Sequence, residues 1–92
     1  MASEFAEKYR KQGFTDIVVL KGGEFKQSAS SHRESTTEFS VAKKEGKFFK
    51  IRIYESLDFL KRGNDTFSLT PVEISESEYR RLALEERREA LD

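Results

Sequence analysis

Apolar and polar residues alternate most clearly over residues 47–54. Successive side chains of a strand point to opposite sides. Phe49, Ile51 and Ile53 therefore make one apolar face, and Phe48, Lys50, Arg52 and Tyr54 make the other. Residues 38–44 alternate too, with Phe39 and Val41 expected inward. Between the two segments, Lys43-Lys44-Glu45-Gly46 offers glycine where a turn needs positive φ, so the pair reads as an antiparallel hairpin. Ile17-Val18-Val19-Leu20, within residues 14–21, is a β-branched run that predicts a strand buried on much of both faces. Lys21-Gly22-Gly23-Glu24 reads as a hairpin turn into a return strand over 24–27. Residues 28–37 are almost without apolar side chains, and form a loop or a strand extension into solvent. Residues 66–74 alternate around Pro71, which marks an edge strand or a bulge. The stretch before them, 56–63, is a helical turn ending at Gly63 or a long hairpin loop, followed by a turn at Asn64-Asp65.

Two helices flank these strands. Residues 3–12 form a short one, with Ser3 as cap, Gly13 as stop, and Phe5 and Tyr9 four apart on one side. A helix this short is marginal alone, so it docks on the body or frays as a terminal arm. The second opens at Ser75, with Glu78 completing a capping box and Ile74 with Tyr79 a hydrophobic staple. Its stripe is Tyr79, Leu82, Ala83, Glu86 and Ala90, with Leu84 and Leu91 to the side. Glu76–Arg80 and Arg81–Glu85 are i,i+4 pairs on the wet side. The stripe covers the sheet, while the lateral leucines invite a partner helix.

Composition narrows the function. Ninety-two residues form one domain, divided as a helix or arm over 1–13 and a body over 14–92. There is no cysteine, which removes thiolate and zinc-thiolate chemistry. His32 is the only histidine and has no second ligand or nucleophile motif beside it, so neither a metal, a cofactor nor an enzyme is expected. No apolar run is long enough to span a membrane, and the first residues lack the pattern of a signal peptide. The expected location is intracellular: cytoplasm or nucleoid, or host cytoplasm if the chain is phage-encoded.

Formal charge is zero but uneven. Residues 36–63 carry seven basic side chains against four acidic, and residues 64–92 carry four against eight. A neutral molecule can thus present a basic patch. The outer face of 47–54 interleaves rings with cations, and an exposed Phe48 needs a cover. Rings stack on unpaired bases, and Lys and Arg hold phosphates. The candidate nucleic-acid set is Lys43, Lys44, Lys47, Phe48, Lys50, Arg52 and Tyr54, with Lys26 and Arg33 added. The predicted partner is single-stranded DNA or RNA, bound without sequence preference. The alternative is a small protein-interaction module, an inhibitor or adaptor, that uses Phe48 and Tyr54 as anchors.

Two blocks resemble the positive-cofactor-four family of transcriptional coactivators and their bacterial and phage relatives. One runs from Phe39-Ser40-Val41 through Glu45-Gly46-Lys47 to Lys50-Ile51-Arg52-Ile53-Tyr54. The other is Val72-Glu73-Ile74-Ser75-Glu76-Ser77-Glu78-Tyr79-Arg80-Arg81-Leu82. The resemblance implies a single-stranded-DNA-binding protein of replication, recombination or transcription. It implies a homodimer joined through the C-terminal helices, with Tyr79, Leu82, Ala83, Leu84 and Leu91 at the interface. By position, Lys47, Arg52 and Tyr54 match the hairpin lysine, strand arginine and following aromatic. Glu55 stands where a further aromatic is common, and Phe67-Ser68-Leu69-Thr70-Pro71 replaces a basic stretch. The expected fold is α+β: a curved antiparallel sheet of about four strands, a C-terminal helix across it, and an extra N-terminal helix.

Overall fold

A computed structural model describes residues 3–28, 32–60 and 65–91. The order is α1 (Ala6–Lys11), β1 (Thr15–Leu20), β2 (Glu24–Ser28), β3 (Arg33–Lys44), β4 (Lys47–Asp58), β5 (Thr66–Ile74), α2 (Glu76–Glu85) and β6 (Arg87–Leu91). The fold is α+β, and among the described residues the sheet has six strands where about four were expected. Their order is β5-β4-β3-β1-β6, and β2 lies against the other half of β3. Every pairing among the described residues is antiparallel.

The β3–β4 hairpin is the spine. Glu45 and Gly46 both have positive φ, 53° and 76°, the two-residue turn whose twist matches its strands. It fixes a register from Lys44↔Lys47 to Arg33↔Asp58, twelve residues a side. Such strands run about 40 Å, close to the 43 Å length of the molecule.

That register corrects one expectation. It sets Phe39 opposite Arg52 and Val41 opposite Lys50. Opposed residues share a face, so Phe39 and Val41 lie with the cations and away from Phe49, Ile51 and Ile53. Both faces are apolar at this end of the sheet. On one, Phe5, just before α1, and Tyr9 within it cover Ile17, Val19, Ala42, Ile51, Ile53 and Leu91. On the other, Tyr79 and Leu82 of α2 cover Leu20 and Val41, with Phe39, Phe48 and Ile74 at the margin.

Short as it is, α1 docks: Phe5 is 1% exposed and Tyr9 is fully buried. Its end is a Schellman motif. Phe14 N–H bonds to Tyr9 O at 3.2 Å and Gly13 N–H to Arg10 O at 2.9 Å, with Gly13 at φ +88°. α2 begins as expected, Ser75 Oγ accepting from Glu78 N–H at 3.1 Å. The Glu78 carboxylate turns instead to Arg81, so only half of the capping box forms.

Two further expectations give way, and a third is decided between its alternatives. The 21–24 segment closes no hairpin, because β1 and β2 lie one after the other along the same edge of β3. Lys21, Gly22 and Gly23 form the offset between them. A Cβ on Gly23 would come within 2.9 Å of Thr37 O, so that close approach needs glycine. Of the two readings of 28–37, residues 33–37 take the strand extension, held between β2 and β4, and residues 29–31 lie outside the described residues. The stripe expected to run helically to Leu91 breaks after Glu85. Residues 87–91 are β6, which closes the free edge of β1, and Leu91 is buried with the α1 face. Edge pairing outweighs helix propensity there. Pro71 sits in β5, at the outer edge of the sheet, where it interrupts no inner ladder. The turn expected at Asn64-Asp65 and the end of the 56–63 stretch lie partly outside the described residues. Among the described residues no helix is long and apolar enough to cross a membrane.

Candidate nucleic-acid interface

α2 covers only one end of its face of the sheet. The ladder rows beneath and beyond it follow from the register. Val41, Lys50 and Val72 are aligned, then Phe39, Arg52 and Thr70, then Thr37, Tyr54 and Ser68. Lys50, Arg52, Thr70 and Val72 are exposed, and Phe39 and Tyr54 are half-buried. Phe39, Lys50, Arg52, Thr70, Val72 and Ile74 enclose a shallow, mainly apolar hollow of about 300 Å³. Lys50 Nζ stands 5.8 Å from the Phe39 ring, and the Arg52 guanidinium 5.8 Å from that of Tyr54. Both are within cation–π range. Neither cation has a carboxylate within ion-pair distance among the described residues. Glu78 is close enough for the Lys50 charge to help lower its pKa, after the larger effect of its hydrogen bond with Arg81.

The other predicted members are placed differently. Phe48 is on this face but under α2, its ring centroid 5.1 Å from that of Tyr79. Tyr79 is pinned in turn by donating to Asp16 O at 2.6 Å. Phe48 is therefore a packing residue, not a free stacking surface. Its cover is the protein's own helix. Lys43 also lies here, 5.6 Å from the Phe48 and Tyr79 rings, and pairs with Asp16 at 3.5 Å. Lys44 and Lys47 alternate onto the α1 face, where Lys44 stands 5.3 Å from the Phe14 ring. They do not join the cluster. Lys26 shares the α2 face by register but lies two strands from β4 and pairs with Glu24 at 3.2 Å. Arg33 is held by Asp58 at 3.4 Å and donates to Ser56 Oγ at 3.0 Å.

The residues expected at a helix-to-helix interface are placed as follows. Tyr79, Leu82 and Leu91 are buried within the protomer, and Ala83 packs against the same core as Tyr79. Leu84 alone points out, 83% exposed, among ion-paired Glu76, Arg80, Arg81 and Glu85. The helix uses its apolar side on its own sheet.

The structure thus assembles Lys50, Arg52 and Tyr54 and disperses the rest. It adds Phe39, expected inward, and Thr70 and Val72, for which no site role was expected. A signal for Phe39 was present: a two-residue turn at Glu45-Gly46 necessarily opposes it to Arg52. Among the described residues no group of three His, Asp or Glu side chains is arranged to hold a metal. No family model matches this chain, and no curated protein or solved structure matches it.

Proposed function

We propose that the open half of the α2 face binds single-stranded nucleic acid, DNA above all, without reading its sequence. The observation that carries this is the pair Lys50 and Arg52. Both are exposed at alternate positions of one strand, lack a carboxylate partner among the described residues, and stand beside an aromatic ring. Most other described cations are neutralised: Lys8 by Glu55, Arg33 by Asp58, Lys43 by Asp16 and Arg88 by Glu38. An unpaired cation on a neutral protein is available to a phosphate. Tyr54 and the edge of Phe39 offer rings on which bases stack, worth about 1–3 kcal/mol per base. Phosphate contacts carry no base identity, which makes the binding sequence-tolerant. Such a module serves replication, recombination or transcription, where strands lie unpaired.

The test is a titration with oligo-dT by fluorescence anisotropy across a salt series. Two engaged phosphates give a log–log salt slope of about −1.4 for a single strand. Replacing both Lys50 and Arg52 with Gln reduces the slope by about that amount. Absence of binding at low salt defeats the proposal and favours the protein-interaction reading.

A further inference from the structure

The hollow at Lys50 and Arg52 is half of a longer trough. A second hollow, also about 300 Å³, opens between α2 and the sheet. Lys21, Gly22, Phe39, Lys50 and Glu86 are among the residues lining it. Phe39 and Lys50 line both, so the two hollows adjoin along these side chains. The trough starts at Thr70 and Val72 on β5, passes Lys50 on β4 and Phe39 on β3, and ends at the β1–β2 offset. It crosses the strands along the flank of α2. Three interstrand steps make about 14 Å.

Resting on the function proposed above, we infer that the nucleic-acid strand lies in this trough, across the β-strands, and that Lys21 is its outlying phosphate contact. Three features favour this path over one along β4. First, a strand following β4 toward the turn meets Phe48, roofed by Tyr79, and then Lys43, neutralised by Asp16. In the trough Lys21, Lys50 and Arg52 have no ion-pair partner among the described residues, and the one neutralised cation, Arg81, stands on the α2 wall. Second, its charge fits a polyanion: Lys21, Lys50 and Arg52 face it against the single carboxylate of Glu86. Arg81 also lines it, but is committed to Glu78 and Glu85. Third, Lys21 is exposed and has no ion-pair partner among the described residues, while its backbone is anchored by donating from N–H to Glu86 O at 2.8 Å. A fixed backbone under a free side chain positions a cation at low ordering cost.

The experiment compares salt slopes of Lys21→Gln, Lys47→Gln and Lys50→Gln on oligo-dT of about eight nucleotides, within the range of single-strand site sizes. Lys21 and Lys47 are surface side chains, so both variants retain the fold, checked by circular dichroism. Lys21→Gln and Lys50→Gln are each expected to reduce the slope by about 0.7, and Lys47→Gln to leave it unchanged. With a dinucleotide, Lys21→Gln has no effect while Lys50→Gln still does. A slope reduced by Lys50→Gln and Lys47→Gln but not by Lys21→Gln overturns the crossing path and leaves the function standing. Wild-type protein that binds neither oligonucleotide overturns both.

Discussion

The Tyr9 hydroxyl donates to Glu38 Oε2 across 2.7 Å in the interior, and joins the first helix to the central strand of the sheet. Ser3 Oγ donates to the same oxygen at 2.8 Å, and Arg88 reaches Oε1 at 3.4 Å from β6. One buried carboxylate thus ties α1, β3 and β6. A lone buried carboxylate would be costly, so each donor matters. Tyr9→Phe keeps the ring and removes one donor. It is expected to cost about 1.5–3 kcal/mol, the range for hydrogen bonds to charged groups. Urea unfolding measures it, and a cost near zero would mean that Glu38 does not depend on Tyr9.

The same pair predicts a response to alkali. Burial pushes the Tyr9 phenol well above its usual range, and the Glu38 charge adds to this while the Ser40 hydroxyl opposes it. In the unfolded chain a tyrosine ionises near pH 10. Above that pH the unfolded state has lost a proton that the native state keeps. Stability is therefore complete below about pH 10 and falls as pH rises, by up to about 1.4 kcal/mol per pH unit from this group. Tyr79 is shifted upward as well, mainly by burial and further by the Asp16 charge. The Tyr9→Phe protein should consequently lose less stability than wild type between pH 10 and 11. Equal slopes in the two proteins would show that Tyr9 titrates normally.

Phe48 and Tyr54 share one face of β4 but are assigned different work. Phe48 lies against Tyr79, so Phe48→Ala is expected to destabilise the fold by about 2–3 kcal/mol. That is somewhat less than for a fully buried phenylalanine. Oligo-dT affinity, measured where the variant is folded, should hardly change. For Tyr54, Phe retains a stacking ring and Leu does not. Tyr54→Leu should weaken binding by about 1–3 kcal/mol, roughly five- to 150-fold, while Tyr54→Phe stays close to wild type. If Phe48→Ala weakens binding and Tyr54→Leu does not, the ligand lies under α2.

The hairpin was legible because its turn residues and both alternating strands agree. Which side was core was not. Taking Phe39, Val41, Phe49, Ile51 and Ile53 all as inward assumes one buried face. The Glu45-Gly46 turn forces odd residues of β3 opposite even residues of β4, and two helices cover opposite sides. Alternation reports that a strand has two faces, not that only one is covered. The dispersal of Lys44 and Lys47 follows from the same arithmetic. Pairing of Lys43 with Asp16 and of Arg33 with Asp58 is a tertiary fact that spacing cannot supply, whereas Lys26 pairs with Glu24 two residues away. The offset at Gly22-Gly23 looked like a hairpin because glycines permit either, and only the pairing of both flanks with β3 distinguishes them.

The last five described residues give the sharpest contrast between local preference and tertiary demand. Arg87-Arg88-Glu89-Ala90-Leu91 is made largely of helix formers, yet it pairs with β1 from Ile17↔Leu91 to Leu20↔Arg87. Were the helix to continue, Leu91 would sit beside Leu84 as an outlying leucine. As a strand it buries Leu91 to 6% exposure, while Leu84 remains 83% exposed. The two leucines are therefore expected to respond oppositely to truncation. Leu91→Ala removes buried methyl groups from the α1-side core and should cost at least about 2 kcal/mol. Leu84→Ala should leave stability within about 0.5 kcal/mol, as surface changes do. It should also leave the molecular mass in solution unaltered, because the apolar side of α2 already faces its own sheet. Urea unfolding with light scattering reads both quantities. A costly Leu84→Ala, together with a change of mass, would restore a partner helix to that position.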